Sequence, residues 1–248
     1  MANRKTTPLD NSGLEEHHCT LDLRKQKLGM VPFFRRLSVD ELTTVEKKFS
    51  AAHFTAGDII YYQGEHAAML RVVVHGAVKL VRHTSEGKDV LLDMLQPGEY
   101  FGNLSASGND SYSETAQAQT DVCILSIRMS DFRLLLDDYS GVAQSVLNIT
   151  ADRLQTSQRQ IQHLTTLPVK NRMAHILVML CDKFGEDNKH GKLLQLPLSR
   201  KDLADMAGTS TATASRIMSQ FQGEGLITSG RQWVAINDSD GLKELAEE

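Results

Sequence analysis

The chain has 248 residues, 41% hydrophobic and 23% charged, a composition typical of soluble globular proteins with one large or two small domains. Its formal net charge of −4 gives no general sign of nucleic-acid binding, so such a function must rest on local features. No run of about 18 apolar residues predicts a membrane span, and the N-terminus lacks the apolar stretch of a signal peptide. We therefore expect a cytoplasmic protein.

The first predicted elements are a short helix and a series of strands. Ser38 can cap a helix in which Glu41 takes the third position of a capping box, while Leu42 and Val45 form an apolar face. From residue 52 to 128, short β-rich runs are separated by Gly, Pro, Asn or Asp at intervals of roughly 10 residues. This spacing predicts an antiparallel barrel or jelly roll.

A long helix is predicted over residues 140–167, which contain no glycine or proline after Gly141. Its apolar side chains follow a heptad pattern. They are Leu147, Leu154, Ile161 and, at the neighbouring heptad position, Leu164. Two interpretations fit this pattern: an amphipathic helix that packs on its own barrel, or, as we favour, a two-stranded coiled coil that forms a homodimer. Pro168 ends the helix.

The remaining segment is predicted to contain three helices and a hairpin. The first helix is closed by Gly185, and the second is capped by Ser199 and ended by Gly208. A third helix over residues 210–225 precedes a hairpin with a Ser-Gly turn. Helix, tight turn, helix and hairpin is the order of a winged helix-turn-helix.

The stretch GTSTATASRIMSQFQGEGLI, residues 208–227, would supply the second helix of that motif, which enters the major groove by its N-terminal residues. Short hydroxyl side chains allow close approach to phosphates, and Arg216 is long enough to reach a guanine edge. The alternative is a solvated, capped helix whose arginine forms a surface ion pair. We favour DNA binding. The predicted interface comprises Ser199, Arg200, Thr209, Ser210, Thr211, Ala212, Thr213, Ser215 and Arg216.

In order and spacing, several motifs resemble the CRP/FNR transcription regulators over nearly all of residues 34–240. These motifs are GDIIYYQGE, VHGAVKL, PGEYFGNL, the long helix, LPLSRKDLADMAGTSTATASRIMSQFQGEGLI and the final hairpin. The resemblance implies an α+β protein with a double-stranded β-helix, a jelly roll of the cyclic-nucleotide-binding type. It further implies a homodimer that reads a palindrome, an effector at the β-roll, and contact with RNA polymerase.

The resemblance implies four parts in chain order. They are an N-terminal arm (1–33), a β-roll sensor domain (34–137), a dimerisation helix (138–167) and a winged helix-turn-helix domain (168–248). The recognition helix departs from the family pattern, because Ala212 takes the place of a Glu that accepts a hydrogen bond from cytosine. Arg216 is still expected to read a guanine.

The implied effector pocket departs further. Members that bind cyclic AMP carry a Gly-Glu-Leu turn and an Arg-Ser pair, where this chain has Gly102-Asn103-Leu104 and Glu114-Thr115. Glu114 would repel a cyclic phosphate instead of pairing with it. The helix positions that face the purine are Ser157 and Gln158. We therefore predict that the effector is not cyclic AMP.

The three cysteines suggest neither a disulfide framework nor the four-cysteine cluster of FNR-type members. We expect Cys123 and Cys181 to be small apolar core residues. Cys19, beside His17 and His18, leaves open a redox- or metal-sensing regulator, as does haem bound by one of the nine histidines. The sequence identifies no cofactor.

Two other classes of protein are less favoured by the sequence. The chain has no GxSxG, P-loop or HExxH motif, so no enzyme is predicted. A cupin-like metalloenzyme is the least favoured alternative, because four histidines of the β-rich region stand at loop-like intervals. They are His53, His66, His75 and His83. The other alternative is a ligand-binding or dimerisation module whose helix-turn-helix is only structural.

Overall fold

The computed structural model describes residues 20–102, 104, 111–188 and 191–247. It consists of two compact units, and among the described residues the first ends at Ser157 and the second begins at Gln158.

The described residues of the first unit include eight strands, which form two four-stranded antiparallel sheets rather than a closed barrel. The strands are β1 (Ser50–Phe54), β2 (Ile59–Tyr61), β3 (Met69–His75), β4 (Val78–His83), β5 (Asp89–Leu95), β6 (Tyr100–Gly102), β7 (Thr115–Ala118) and β8 (Val122–Arg128). The sheet orders are β1-β8-β3-β6 and β2-β7-β4-β5. Apart from the β4–β5 pair, consecutive strands lie in different sheets, and one face of each sheet packs on a shared apolar interior.

Short helices cover one side of these sheets. They are α1 (Leu21–Met30), α2 (Val39–Glu46) and α3 (Met129–Asp138). The capping box of Ser38 and Glu41 is present, as predicted for α2. Helices α1 and α3 were not predicted. Phe33, Phe34 and Phe132 meet edge to face in the core between the helices and the strands.

The long helix α4 (Ser140–Thr166) begins in the first unit and ends in the second. Pro168 is the N-terminal cap residue of the next helix. Helix α4 therefore ends just before this proline, as predicted. Within the described chain, no helix combines the length and the apolar character needed to cross a membrane.

The second unit is a winged helix-turn-helix, as predicted. Its elements after α4 are α5 (Val169–Phe184), β9 (Gly185–Asn188), β10 (Gly191–Leu194), α6 (Arg200–Ala207), α7 (Thr211–Gly223), β11 (Ile227–Gly230), β12 (Trp233–Ile236) and α8 (Ser239–Glu247). The four strands form one sheet in the order β11-β12-β10-β9. Helix α8 was not predicted.

Two local predictions in this unit need correction. Strands β9 and β10 form an antiparallel pair, in addition to the single hairpin that was predicted. The wing turn lies at Arg231 and Gln232 and not at Ser-Gly, because Gly230 pairs with Trp233 across the ladder. Gln232 takes the positive φ of 67° that this tight turn requires.

Candidate nucleic-acid interface

The helix-turn-helix is defined by side chains that close each helix end. The backbone amide of Asp202 donates to Ser199 Oγ at 3.0 Å, and the Asp202 carboxylate accepts from the Ser199 amide at 2.8 Å. Gly208 ends α6 in the left-handed region, at φ 60° and ψ 48°. Two residues later Ser210 caps α7 by accepting from the Thr213 amide at 3.1 Å. The turn is therefore short, and both helix ends that border it are capped.

One face of α7 is exposed and begins at its N-terminus. Ser210, Thr211, Ala212 and Arg216 are exposed. The opposite face is buried in the core of the unit. Its buried residues are Ala214, Ile217, Met218 and Phe221. The helix thus presents two hydroxyl groups, free space at Ala212 and a guanidinium on its solvent face, beside its positive dipole end.

The other residues of the predicted interface are less open. Thr209, Thr213 and Ser215 are partly buried, and Thr213 Oγ1 lies 2.9 Å from Ser210 Oγ. Arg200 is also partly buried, and its guanidinium donates to Ser229 Oγ of the wing at 3.0 Å. Burial lowers the pKa of Arg200. Arg200 therefore joins α6 to β11, which leaves less of it to meet a ligand than the sequence suggested.

Sequence reasoning missed Arg172 of α5, which supports this motif from below. Its Nε donates to the Ala207 carbonyl at 2.9 Å, and its Nη1 donates to the Leu167 carbonyl at 2.8 Å and the Leu164 carbonyl at 3.4 Å. One guanidinium thus connects the carboxyl ends of α4 and α6, where carbonyl groups lack partners within the helix. No sequence motif marks this role.

The interior of the β-roll contains an aromatic cluster beside Glu114. Tyr61 and Tyr112 are stacked and almost completely buried, at 3% and 4% exposure, and Phe101 stacks on Tyr61 from 6.0 Å. Arg71 lies over both tyrosine rings, 5.0 and 5.4 Å from their centroids. The Tyr61 hydroxyl donates to Glu114 Oε1 at 3.0 Å. Burial, and then the Glu114 charge, raise the pKa of Tyr61.

The residues predicted to line an effector pocket have other contacts. Gly102 has φ +96°, and a Cβ there would lie 2.7 Å from the Met69 carbonyl oxygen, so only glycine fits. Leu104 packs on the helix-covered core. Thr115 is buried, and its hydroxyl accepts a hydrogen bond from the backbone amide of Gln63 at 3.0 Å. Asn103 lies outside the described residues.

The remaining two predicted pocket residues lie on α4. Ser157 and Gln158 are exposed, and the Ser157 hydroxyl donates to the Arg153 carbonyl of its own helix at 3.0 Å. Arg153 itself lies 3.8 Å above the Tyr100 ring and donates to the Tyr100 carbonyl at 3.0 Å. Helix α4 is thereby attached to β6, next to the turn at Gly102.

The heptad residues of α4 form an exposed apolar row. The exposed fractions are 71% for Leu147, 61% for Leu154, 61% for Ile161 and 48% for Leu164. Such large apolar side chains in a row are normally covered by a partner.

One prediction about the cysteines was wrong. Cys123 is disulfide-bonded, not a free core thiol, although it lies buried in β8 as expected. Spacing along the sequence could not reveal this, because folding decides which thiols meet. Cys181 is a free, buried thiol. Cys19, His17 and His18 lie outside the described residues. Among the residues that are described, no group of three or more His, Cys, Asp or Glu side chains could hold a metal ion.

Comparison with known proteins gives a consistent match. The cyclic nucleotide-binding domain family matches residues 51–139, and the Crp-like helix-turn-helix domain family matches residues 171–245. The transcriptional regulator SdrP of Thermus thermophilus is 32% identical over 196 residues, covering 78% of this chain and 93% of that protein.

Two more distant proteins match over most of their length. The CRP-like cAMP-activated global transcriptional regulator of Mycobacterium tuberculosis is 24% identical, covering 88% of this chain and 98% of that protein. The structure of FixK2 from Bradyrhizobium japonicum superposes with a TM-score of 0.71 at 24% identity, covering 79% of this chain and 96% of that one. The second of these matches concerns the fold alone.

Proposed function

Because this chain belongs to the CRP/FNR family of transcription regulators, we propose that it is a homodimeric regulator that reads a palindromic DNA site through α7. The observation that carries the proposal is the exposed start of α7, with Ser210, Thr211 and Arg216 on one face. Hydroxyl groups and helix amides there bind phosphates, and the guanidinium reads a guanine. The family acts as regulators rather than enzymes, and we place this chain in the cytoplasm.

The test is selection of bound sequences from a random DNA pool, with the full chain at fixed salt. The expected result is an enriched palindrome with a guanine at the same position of each half-site. Enrichment with no two-fold symmetry, or no enrichment, would contradict the proposal and favour a ligand-binding module with a structural helix-turn-helix.

Dimerisation through α4 is proposed because Leu147, Leu154, Ile161 and Leu164 form an exposed apolar row. Burial of these side chains against their counterparts would contribute about 1.5–3 kcal/mol for each. A two-fold dimer presents two copies of α7, which is the arrangement that a palindrome requires.

The effector is proposed to be something other than cyclic AMP. A cyclic phosphate needs a counter-charge, and Glu114 offers the same sign of charge. The two nearby arginines already form hydrogen bonds within the protein. Arg71 Nη1 donates to the Tyr112 hydroxyl at 2.6 Å, and Arg82 Nε donates to the Ser113 carbonyl at 3.0 Å. Several relatives are named for cyclic AMP, but the charge of Glu114 does not suit that ligand.

Redox control of the same regulator is a second candidate, and the disulfide of Cys123 favours it. The chain has three cysteines and Cys181 is a free thiol, so we propose Cys19 as the partner of Cys123 to be tested. Disulfides are rare in the cytoplasm, and those that form there are usually transient or redox-sensing. A protein dithiol would donate two electrons and two protons, breaking the S–S bond into two thiols while the donor becomes a disulfide.

Peptide mapping without reductant, followed by DNA binding with and without dithiothreitol, tests this candidate. We expect a peptide pair linking Cys19 to Cys123, and a DNA affinity that changes on reduction. Cys123→Ser should abolish the response, whereas Cys181→Ser, the matched control, should keep it. An unlinked Cys123, or an affinity indifferent to reductant, would contradict redox control and leave DNA binding untouched.

A further inference from the structure

A cavity at the carboxyl end of α4 has no part in the functions proposed above. It measures about 540 Å³ and lies wholly within the second unit, between the last turns of α4, the middle of α5, and α8. Cavities of about 300–1,000 Å³ are typical of small-molecule sites.

Two imidazoles meet in the wall of this cavity. The ring centroids of His163 and His175 are 4.7 Å apart, with the planes at 78°. The Nδ1 atom of His163 is buried and has no hydrogen-bond partner among the described residues. This nitrogen has almost no accessible surface, so a ligand would meet the other ring atoms that His163 and His175 present to the cavity. Lys243 of α8 adds an ammonium group to the lining.

The charge of the wall selects the ligand. Among the described residues, the lining has two imidazoles, one ammonium group and no carboxylate; Asp240 and Glu244 of α8 are not part of it. A divalent metal would meet the Lys243 ammonium and find two imidazoles, where a structural zinc site needs four ligands. An anion meets complementary charge and hydrogen-bond donors.

We propose that this cavity binds a small hydroxylated organic anion, with a carboxylate or a phosphate monoester as its charged group. His163, His175 and Lys243 would hold the anionic oxygens. Gln162 and Thr166 supply polar groups for hydroxyls, and an apolar wall accepts the carbon skeleton. That wall is formed by Leu167, Val178 and Ala246.

The position of the cavity makes its occupant an effector. His163 lies two residues beyond Ile161, away from the heptad row, so the cavity stays accessible in the proposed dimer. A bound anion would contact α4, α5 and α8 together. It would thereby hold the carboxyl end of α4 against the other helices of the second unit. This consequence rests on the proposed function, whereas ligand binding itself does not.

Binding should be linked to protons. Burial and the neighbouring His163 lower the pKa of His175. The groups that share the cavity wall with it are His163 from α4 and Lys243 from α8. His175 is therefore neutral in the free protein at neutral pH, and an anion favours its protonated form. Affinity should rise as the pH falls, by about tenfold per pH unit for each proton taken up.

Calorimetry on the full-length protein without DNA tests the proposal, with glycerol 3-phosphate, citrate and uncharged glycerol as probes. We expect saturable heat from one or both anions and none from glycerol; the anion that binds identifies the charged group. His175→Asn and Lys243→Gln should each weaken binding about tenfold or more. Their matched controls are His83→Asn and Lys88→Gln, in an exposed hairpin of the other unit, and these should bind as the wild type.

Arg216→Ala should also keep anion binding, because Arg216 is not part of the cavity wall. No saturable heat from either anion at about pH 6, or equal losses in the cavity and control variants, would overturn the proposal. DNA affinity measured on the same samples separates the two claims. Intact DNA binding without anion binding overturns the cavity alone, while anion binding without DNA binding overturns only the regulator.

Discussion

The ring of Tyr61 stacks on the ring of Tyr112, with centroids 3.7 Å apart and planes inclined by 18°. The Tyr112 hydroxyl accepts a hydrogen bond from Arg71, and the Tyr61 hydroxyl donates one to Glu114. The interior of the β-roll beside Glu114 is thus filled by rings whose polar ends are satisfied. A cyclic nucleotide would have to displace Arg71 and face a carboxylate.

We therefore expect cyclic AMP and cyclic GMP, at millimolar concentration, to give no saturable heat in calorimetry. The sample should first be shown to bind DNA, so that an inactive preparation is not mistaken for a negative result. A micromolar Kd would contradict this reading of the pocket and would mean that Arg71 or Arg82 leaves its present partner for the phosphate.

Arg172→Ala should destabilise the second unit. It removes three hydrogen bonds to the carbonyl groups of Ala207, Leu167 and Leu164. Hydrogen bonds to charged groups contribute about 1.5–3 kcal/mol each, so we expect the free energy of unfolding to fall by about 2 kcal/mol or more. Urea unfolding would measure this. Arg231→Ala, at an exposed position of the wing, is the control and should change stability little. Equal stability of the two variants would show that Arg172 does not join the helix ends.

Leu154→Glu should abolish the proposed dimer, because two carboxylates would oppose each other at a site that otherwise buries two leucines. Sedimentation at micromolar concentration should show dimers for the wild type and monomers for the variant. Gln155→Glu adds the same charge one residue away and off the heptad row, so it should remain dimeric. A monomeric wild type would contradict the coiled coil.

The parts of the fold that the sequence predicts well are those decided by neighbours in the chain. Ser199, Gly208 and Ser210 identify the ends of α6 and α7 because capping depends on the backbone within three or four residues. The apolar row of α4 is visible because its period matches the helix.

The parts that could not be predicted depend on contacts distant in sequence. Arg172 and Arg200 take their roles from the carbonyl of Ala207 and the hydroxyl of Ser229, which only the folded unit brings near. Helix α8 is a different case, because Leu242, Leu245 and Ala246 follow the i, i+3, i+4 spacing of an amphipathic helix, and this nine-residue helix was overlooked. The disulfide of Cys123 likewise depends on which thiols meet after folding.

Arg216→Ala should weaken DNA binding by about 1–3 kcal/mol and relax the preference at one base pair of each half-site. Only a long side chain with several donors spans from the exposed face of α7 to a guanine edge. Thr211→Ala is the matched comparison. If Thr211 contacts a phosphate, this variant should bind all DNA sequences more weakly by a similar factor and keep the base preference of the wild type. Binding to a half-site library at fixed salt measures both, since phosphate contacts depend on ionic strength. If the base preference of Arg216→Ala is unchanged, Arg216 does not read a base.

Ala212→Glu should add a base preference that the wild type lacks. Ala212 is exposed at the start of α7, one helical turn before Arg216, so a longer side chain there would project from the same face. A carboxylate accepts a hydrogen bond from cytosine N4 and is repelled by bases that present acceptors in the major groove. We expect enrichment of cytosine at one position next to the guanine read by Arg216. Ala212→Gln, which has the same length but no charge, should favour adenine or show no preference. Identical libraries for Ala212→Glu and the wild type would mean that residue 212 does not face the bases.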